Sequence, residues 1–404
     1  HKELKVKVPM VELFRATTIR ELSRYIKNAV REQHSALECV EKKEYYILSS
    51  AQERLYILQS LDDTGIGYNI PAVLELSGGI DEEKLEKVFN RLIGRHESFR
   101  TSFMMINGEP VQRIHDRVEF KIELLEGREH GAFDSFIRPF DLTHAPLLRM
   151  RLVKTGEASY LMMLDMHHII ADGVSMGILV REFSILYGSG NEQTLPELRF
   201  QYKDYSEWQR RVQPHGMGAD STNAQAVYWR KQFEGDIPVL TLPMDFTRPV
   251  IQSFEGQAIR FELDKEHSRA LVELAKQEGA TLFMVLLAIY QILLSKLSGQ
   301  EDVVVGTPTA GRIHADIQYI IGMFVNTLAL RDFPVGAKPF NIFLNEVKER
   351  TLAAFENQEY QFENLLEELN ITRDSGRNPL FDTMLSFENM NIPGRGDHNS
   401  AIIM

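Results

Sequence analysis

His167 and His168 stand side by side at the end of an apolar run, Leu161-Met-Met-Leu-Asp-Met166, and lead into Ile169-Ile-Ala-Asp172-Gly173. Imidazole exchanges a proton near neutral pH and also ligates metals, so the pair invites proton transfer, metal binding or plain structure as readings. The flanking segments bear on the choice. Tyr160 to Met166 is short, bulky and nearly uncharged, the pattern of a buried strand, whereas Gly173 to Tyr187 spaces Val174, Ile178, Phe183, Leu186 and Tyr187 as a helix would. The histidines therefore fall at the turn between a strand and a helix. Neighbouring strand side chains point to opposite faces, so these two rings do not converge on one ion as the ligands of His-Glu-x-x-His do. No metal is expected. One ring is expected to face the core and the other a cleft. Asp172 is either the N-cap of the helix or an orienting or salt-bridging carboxylate, and the short motif alone supports chemistry and structure equally.

At 404 residues the chain exceeds what one hydrophobic core usually serves, and two lobes are expected. A hydrophobic content of 44% with 25% charged residues is ordinary for a globular protein. The 45 Lys and Arg against 57 Asp and Glu give a net charge of −12, which opposes attraction to a nucleic-acid backbone. The single Cys39 makes no internal disulfide, and the absence of a secretory leader or a membrane-length apolar stretch predicts a cytoplasmic protein without a membrane partner. A start at His1 is read as the edge of an excised fragment.

Along the chain, Thr17 or Thr18 is placed to cap a short helix bearing Ile19, Leu22 and Ile26, and the polar stretch 28 to 44 reads as a linker. From Tyr46 strand-like and helical segments alternate. Pro71 to Ser77 and Leu147 to Val153 read as strands, and Asp81 to Gly94 as an amphipathic helix. A lobe boundary is placed near 212 to 224. Beyond it, strands are expected at Gln257 to Leu263 and Asp302 to Gly306, and helices at His267 to Gln277 and Thr281 to Leu297. The class is mixed α/β.

Several further segments fall in a characteristic order around the histidine motif. Leu48-Ser-Ser-Ala-Gln-Glu-Arg-Leu-Tyr56 and Arg95-His-Glu-Ser-Phe-Arg-Thr-Ser-Phe103 precede it. Tyr202-Lys-Asp-Tyr-Ser-Glu-Trp208, Ile321-Gly-Met-Phe-Val-Asn-Thr327, Asn357-Gln-Glu-Tyr-Gln-Phe-Glu363 and Arg373-Asp-Ser-Gly-Arg-Asn-Pro-Leu380 follow it. Together they resemble the signatures of the condensation domain of nonribosomal peptide synthetases. Asn357 departs from that pattern, which more typically opens the segment with His.

The resemblance implies two chloramphenicol-acetyltransferase-like lobes in a V-shaped pseudo-dimer, residues 46–215 and 216–404, the second incomplete at its end. Residues 1–28 resemble the tail of a peptidyl carrier domain lacking its phosphopantetheine serine, and 29–45 form the linker. The implied reaction is amide formation, in which a downstream aminoacyl thioester's amine attacks an upstream peptidyl thioester. Both groups arrive on phosphopantetheine borne by partner carrier domains beside an adenylation domain, and the condensing domain, acting as a monomer, binds no cofactor of its own.

The resemblance makes His168 the catalytic imidazole, as general base or as a positioning and stabilising group, and Gly173 a backbone donor to the oxyanion or a steric necessity of the turn. His167, whose face points away from His168, is assigned to structure. Asp172 becomes one half of a buried salt bridge, with Arg312 as its expected partner and Arg100 in reserve. Asn326 is expected to line the pantetheine tunnel or to make a strand-end turn. Tyr202, Tyr205 and Trp208 are expected to pack, and Arg373, Arg377 and Asn378 either meet a carrier or sit in a solvated turn. His96 and His314 are read as packing or surface residues. The rival functions are an epimerization domain of the same superfamily and an inactive docking domain. The latter usually carries a corrupted histidine motif, whereas His168, Asp172 and Gly173 are intact.

Overall fold

The computed structural model describes residues 6, 8–16, 18–29, 36–61, 65–127, 135–188, 195–212, 224–250, 256–371 and 376–388. They fall into two compact units, one gathering 36–214 with 312–325 and the other gathering 1–35, 215–311 and 326–388. The first, which carries the histidines, is called here the motif unit. The second is the companion unit. A division into 46–215 and 216–404 therefore misses one return of the chain, because 312–325 packs with the motif unit. Thr17, residues 30–35 of the expected linker and Arg373 lie outside the described residues, as does most of the expected boundary segment.

In the motif unit, β1 (Tyr46–Ile47), β4 (Glu109–Ile114) and β3 (Thr101–Ile106) form one antiparallel sheet. A second sheet has the order β2 (Asn69–Ser77), β7 (Ser159–His167), β6 (Leu148–Gly156) and β5 (Glu123–Glu126). Its pairs are antiparallel except β5 with β6. Strand β7 lies between two others and is buried almost throughout, which explains its unbroken apolar sequence. Its pleat divides it. Met162, Leu164 and Met166 join the large core, whereas Met163 packs with Phe136 and Val153 in a smaller cluster on the other side, the side on which Asp165 and His167 follow by alternation.

Helix α4 (Glu82–Arg95) starts at Asp81, whose carboxylate accepts the Lys84 amide at 2.9 Å, and buries Leu85, Val88, Phe89, Leu92 and Ile93 against the core. The same core receives α5 (Gly173–Gly188), while α3 (Ser50–Leu61) and α6 (Tyr202–Val212) complete the surroundings of the motif. The stretch expected to be a linker is partly anchored, since Leu37 is buried and the Val40 amide donates to Asp204 at 2.7 Å.

The companion unit begins with α1 (Met10–Arg15) and α2 (Ile19–Asn28), the latter closed by a reciprocal cap between Thr18 and Glu21. It continues through α7 (Ala224–Gln232), α8 (Lys265–Gln277) and α9 (Leu282–Ser298). The hairpin of β8 (Val303–Thr309) and β9 (Asn326–Asp332), then α10 (Phe340–Glu356) and α11 (Phe362–Glu368), complete it. Thr281 caps α9, and Gly299 ends it in the left-handed region at φ 73°, where a side chain would be strained. Gln257 to Leu263 is not a strand. It runs irregularly with Ile259 91% and Phe261 81% exposed, because its alternation supplies the propensity but no described strand offers a hydrogen-bonding ladder. No single described helix is long and apolar enough to cross a membrane.

Close packing of β8 yields a prediction. A Cβ at Gly306 would lie 2.5 Å from the buried Phe381 ring, whereas one at Gly177, inside α5, meets nothing within 4 Å. Gly306→Ala is expected to lower the stability read by denaturant unfolding by ~1–3 kcal/mol through overpacking. Gly177→Ala is expected to raise it by ~0.5–1 kcal/mol, as glycine's backbone entropy is removed. Shifts in the same direction would contradict this packing.

Candidate functional site

Strand β7 ends at His167, a 3-10 turn covers His168 to Ile170, and α5 begins at Gly173. The amide of His167 donates to Leu147 O at 3.0 Å and that of His168 to Tyr68 O at 2.8 Å, so successive residues address opposite neighbours. The two rings accordingly have different surroundings. His167 is buried, its Nδ1 accepts the Ile169 amide at 3.1 Å, and its ring meets Phe140 edge-on at 6.1 Å between centroids. Burial, reinforced by the neighbouring His168, pushes its pKa down to about 3. It is neutral and shapes the turn.

His168 is only partly buried. Its Nδ1 is enclosed without a hydrogen-bond partner of good geometry, whereas Nε2 is not among the enclosed, unpartnered atoms of the described residues. Burial lowers its pKa from the ordinary 6.5, opposed by backbone groups of His168 and Ala171 and by the Asp172 carboxylate. The ring is thus a neutral imidazole with one nitrogen left open. Gln52 of α3 supports the turn from behind, donating to Ile169 O at 3.3 Å.

Asp172 is fully buried and fills both roles considered for it. Its backbone carbonyl accepts the Met176 amide and its Oδ1 accepts the Ser175 amide at 2.7 Å, the pattern of a helix N-cap. Arg312 Nη2 lies 3.0 Å from Oδ1 and 3.3 Å from Oδ2, and the Phe324 amide donates to Oδ2 at 3.1 Å. Arg312 also donates through Nη1 to Ile317 O and Ile320 O at 2.8 and 2.7 Å, and lies 4.1 Å over the Phe324 ring. Charge and donors thus match a carboxylate that burial would otherwise penalise heavily.

Other expected residues lie elsewhere or are already engaged. Arg100 does not reach Asp172. It donates to the carbonyls of Ile93 and His115, closing the end of α4 onto the β3–β4 sheet. Asn326 spends both amide hydrogens on Gln358 O and Tyr360 O at 2.8 Å, and its oxygen accepts from the amides of Thr327 and Phe362. No donor remains for a tunnel ligand, so Asn326 is a staple within the companion unit. Arg377 pairs with Asp382 and also donates to Leu240 O at 3.3 Å, and Asn378 accepts the amides of Leu380 and Phe381, so both are engaged within the companion unit. Tyr202 and Tyr205 are buried beside Phe324, with Trp208 packed on the cluster. His96 is buried with Nε2 2.8 Å from Glu182, and His314 lies against Trp208. Among the described residues, no three His, Cys, Asp or Glu side chains converge as a metal site.

The neighbours that reading by motif passed over are Ser175, Gly322 and Gln52. Ser175 carried a signal, since a serine three residues after an aspartate cap stands where the cap accepts its amide. Gly322 and Gln52 are engaged only through tertiary contacts.

Beneath His167, Arg149 stacks on Phe140 at 3.6 Å and faces the fully buried Asp165, with Nε 3.7 Å from Oδ2. Asn69 donates to the same oxygen at 2.8 Å. Burial outweighs these partners and pushes Asp165 up to about 6.

The site is thus a strand–turn–helix that carries a neutral imidazole four residues before a buried carboxylate paired with a guanidinium. The sequence model of the family described as "Condensation domain" matches residues 42–401, and the chain belongs to that family. It is 49% identical over 393 residues to tyrocidine synthase 3 of Brevibacillus parabrevis, an alignment covering 96% of this chain and 6% of that protein. It is also 48% identical over 393 residues to gramicidin S synthase 2 of Aneurinibacillus migulanus, over 96% of this chain and 9% of that one. The chain thus spans a small fraction of these relatives. Among solved structures, the X-domain from teicoplanin biosynthesis in complex with OxyB has a TM-score of 0.79 at 25% identity, covering 87% of this chain and 79% of that chain. The four-domain nonribosomal peptide synthetase AB3403 has a TM-score of 0.78 at 25% identity, covering 89% and 27%.

The two perturbed groups on the face of β7 opposite the large core generate opposing pH dependences. Between about pH 4 and 6 the unfolded chain protonates residue 167 and the folded chain does not, so His167 makes stability fall as pH falls. Over the same window folded Asp165 keeps its proton while the unfolded carboxyl loses it, so Asp165 makes stability rise as pH falls. The two largely cancel. Relative to the parent, His167→Gln is expected to gain stability on acidification by up to ~1.4 kcal/mol per pH unit, and Asp165→Asn to lose it by a similar amount. Urea unfolding at several pH values checks this, and two variants that run parallel to the parent would contradict it.

Proposed function

We propose that this condensation domain forms an amide bond between two thioesters delivered on the phosphopantetheine arms of partner carrier domains. The observation that carries the proposal is the open Nε2 of a neutral His168 on a turn braced by Asp172, Arg312 and Gln52. In the proposed reaction the acceptor's α-amine attacks the donor's thioester carbonyl, the new C–N bond forms, and the carbonyl oxygen takes the displaced electron pair. The amine then gives up a proton, the C–S bond breaks, and the thiolate leaves to be protonated.

An α-amino group titrates near pH ~7.7–8.0 and burial keeps His168 below its ordinary value, so the imidazole is in the form able to receive the proton or to hold the amine by accepting its N–H. Gly173 opens α5 and is exposed. Its amide is one of the helix's first, unpaired donors and is assigned to the developing oxyanion. The thioesters supply the activation, and the chain itself is proposed to hold no cofactor. Residues 1–28, ahead of the matched region, are proposed to be the end of a preceding carrier domain, and the neighbouring adenylation domain to load the acceptor.

The test is to present the chain, within its longer protein, with loaded donor and acceptor carriers and to follow the acceptor-bound product by mass spectrometry. The parent is expected to transfer the donor's acyl group, and His168→Ala to slow transfer by ~10²–10⁴-fold, the usual contribution of a positioned acid–base group. Product no greater than that of His168→Ala would overturn the proposal in favour of docking. Changed stereochemistry of the donor residue without coupling would overturn it in favour of epimerization.

A further inference from the structure

The segment 312–325 joins β8 to β9, which pair with each other up to Thr309 and Asn326, yet it packs with the motif unit. Its position there is read by one side chain of α5. Ser175 is buried, and its Oγ lies 2.7 Å from Asp172 Oδ1, 3.0 Å from Gly322 O, 3.1 Å from the Gly322 amide nitrogen and 2.9 Å from Arg312 Nη2. A hydroxyl has one proton to give and two lone pairs. Here it accepts from Gly322 N–H and from Arg312, and donates to the carboxylate or to Gly322 O. Its capacity is filled, and both hydrogen-bonding groups of residue 322 face it.

The register is checked a second time from the other side. Tyr202 lies so close over Gly322 that a Cβ there would fall 1.9 Å from its ring, and its hydroxyl bonds Met323 O. A slip of the segment by one residue would put the Cβ of Ile321 or Met323 into that ring. In the observed register, Arg312 and the Phe324 amide both reach Asp172, which caps α5 four residues after His168. The hydroxyl on the backbone and the ring over the missing Cβ therefore select one placement, and that placement sets the shape of the turn.

We propose that Ser175 is a positioning residue for His168, acting through Gly322 and Asp172 without touching substrate. This inference rests on the reaction proposed above. Losing the hydroxyl frees the Gly322 peptide, loosens the delivery of Arg312 and the Phe324 amide to Asp172, and lets the 168–173 turn drift. A displacement on the order of 1 Å at a reacting group can cost ~10²-fold in rate while leaving binding surfaces intact.

The test uses Ser175→Ala and Ser175→Thr in the longer protein with loaded carriers, together with amide hydrogen exchange, which reports local opening. Ser175→Ala is expected to lower kcat by ~10–100-fold with KM within about threefold of the parent, and to speed exchange at Gly322 and Phe324 by at least ~10-fold. The hydroxyl-bearing Ser175→Thr is expected to recover most of both losses. A folded Ser175→Ala with parental kcat would overturn the inference, as would a loss in KM alone or equal losses in the two variants. Should Ser175→Ala fail to fold, the parent decides: a Gly322 amide exchanging as fast as exposed amides would overturn the clamp. A parent that makes no peptide would sink the proposed function instead, and the exchange measurements would still decide the clamp.

Discussion

A carboxylate with no exposure to water, Asp172, is the constraint on which the histidine turn depends. An ionised group this deep is tolerated only when opposite charge and hydrogen-bond donors surround it. The chain meets that demand with four groups: the Ser175 amide and hydroxyl from the same helix, and the Arg312 guanidinium and Phe324 amide from a segment about 140 residues downstream. The carboxylate thus acts as a local cap and as a tertiary anchor. Remove either function and the other leaves donors stranded, which couples the start of α5 to the placement of 312–325.

The anchored turn then gives the paired histidines opposite characters. His167 follows Met163 and Asp165 on the face of β7 turned away from the large core, where Phe140, Arg149 and Asn69 are neighbours and burial keeps the imidazole neutral well into acid. His168 falls one residue later, after the strand has given way to a 3-10 turn, and keeps a ring nitrogen open. One residue of pleat separates a structural ring from the proposed reactive one. Structural support and the proposed reactivity are divided between adjacent positions. The region matched by the family, residues 42–401, includes every element that builds the turn.

Much of this is legible in the sequence. Tyr160 to Met166 read as a buried strand because a central strand is apolar on both faces, and Asp81 to Gly94 read as a helix because cap and stripe agree. Strand alternation alone implies that His167 and His168 face opposite ways, while which of them faces the cleft comes from the resemblance. What failed were inferences that needed knowledge of what a side chain meets. Asn326 looked available to a ligand, yet both its donors close a loop in its own unit. Arg100 was a reasonable second partner for Asp172 by charge, but carbonyls at the end of α4 hold it. Gln257 to Leu263 has strand alternation without a described partner strand, and periodicity cannot reveal that. The roles of Ser175 and Gly322 are illegible for the same reason: the hydroxyl's partners Gly322 and Arg312, and the ring over the glycine, come from distant sequence.

The most direct test of this account is a double-mutant cycle on Asp172 and Arg312, read by reversible unfolding. If the buried pair is the organising constraint, Arg312→Met alone strands the carboxylate and lowers stability by ~3–5 kcal/mol. Adding Asp172→Asn to that background should then cost little or restore stability, a coupling well above ~1 kcal/mol. Effects of the two substitutions that simply add, within ~0.5 kcal/mol, would contradict it.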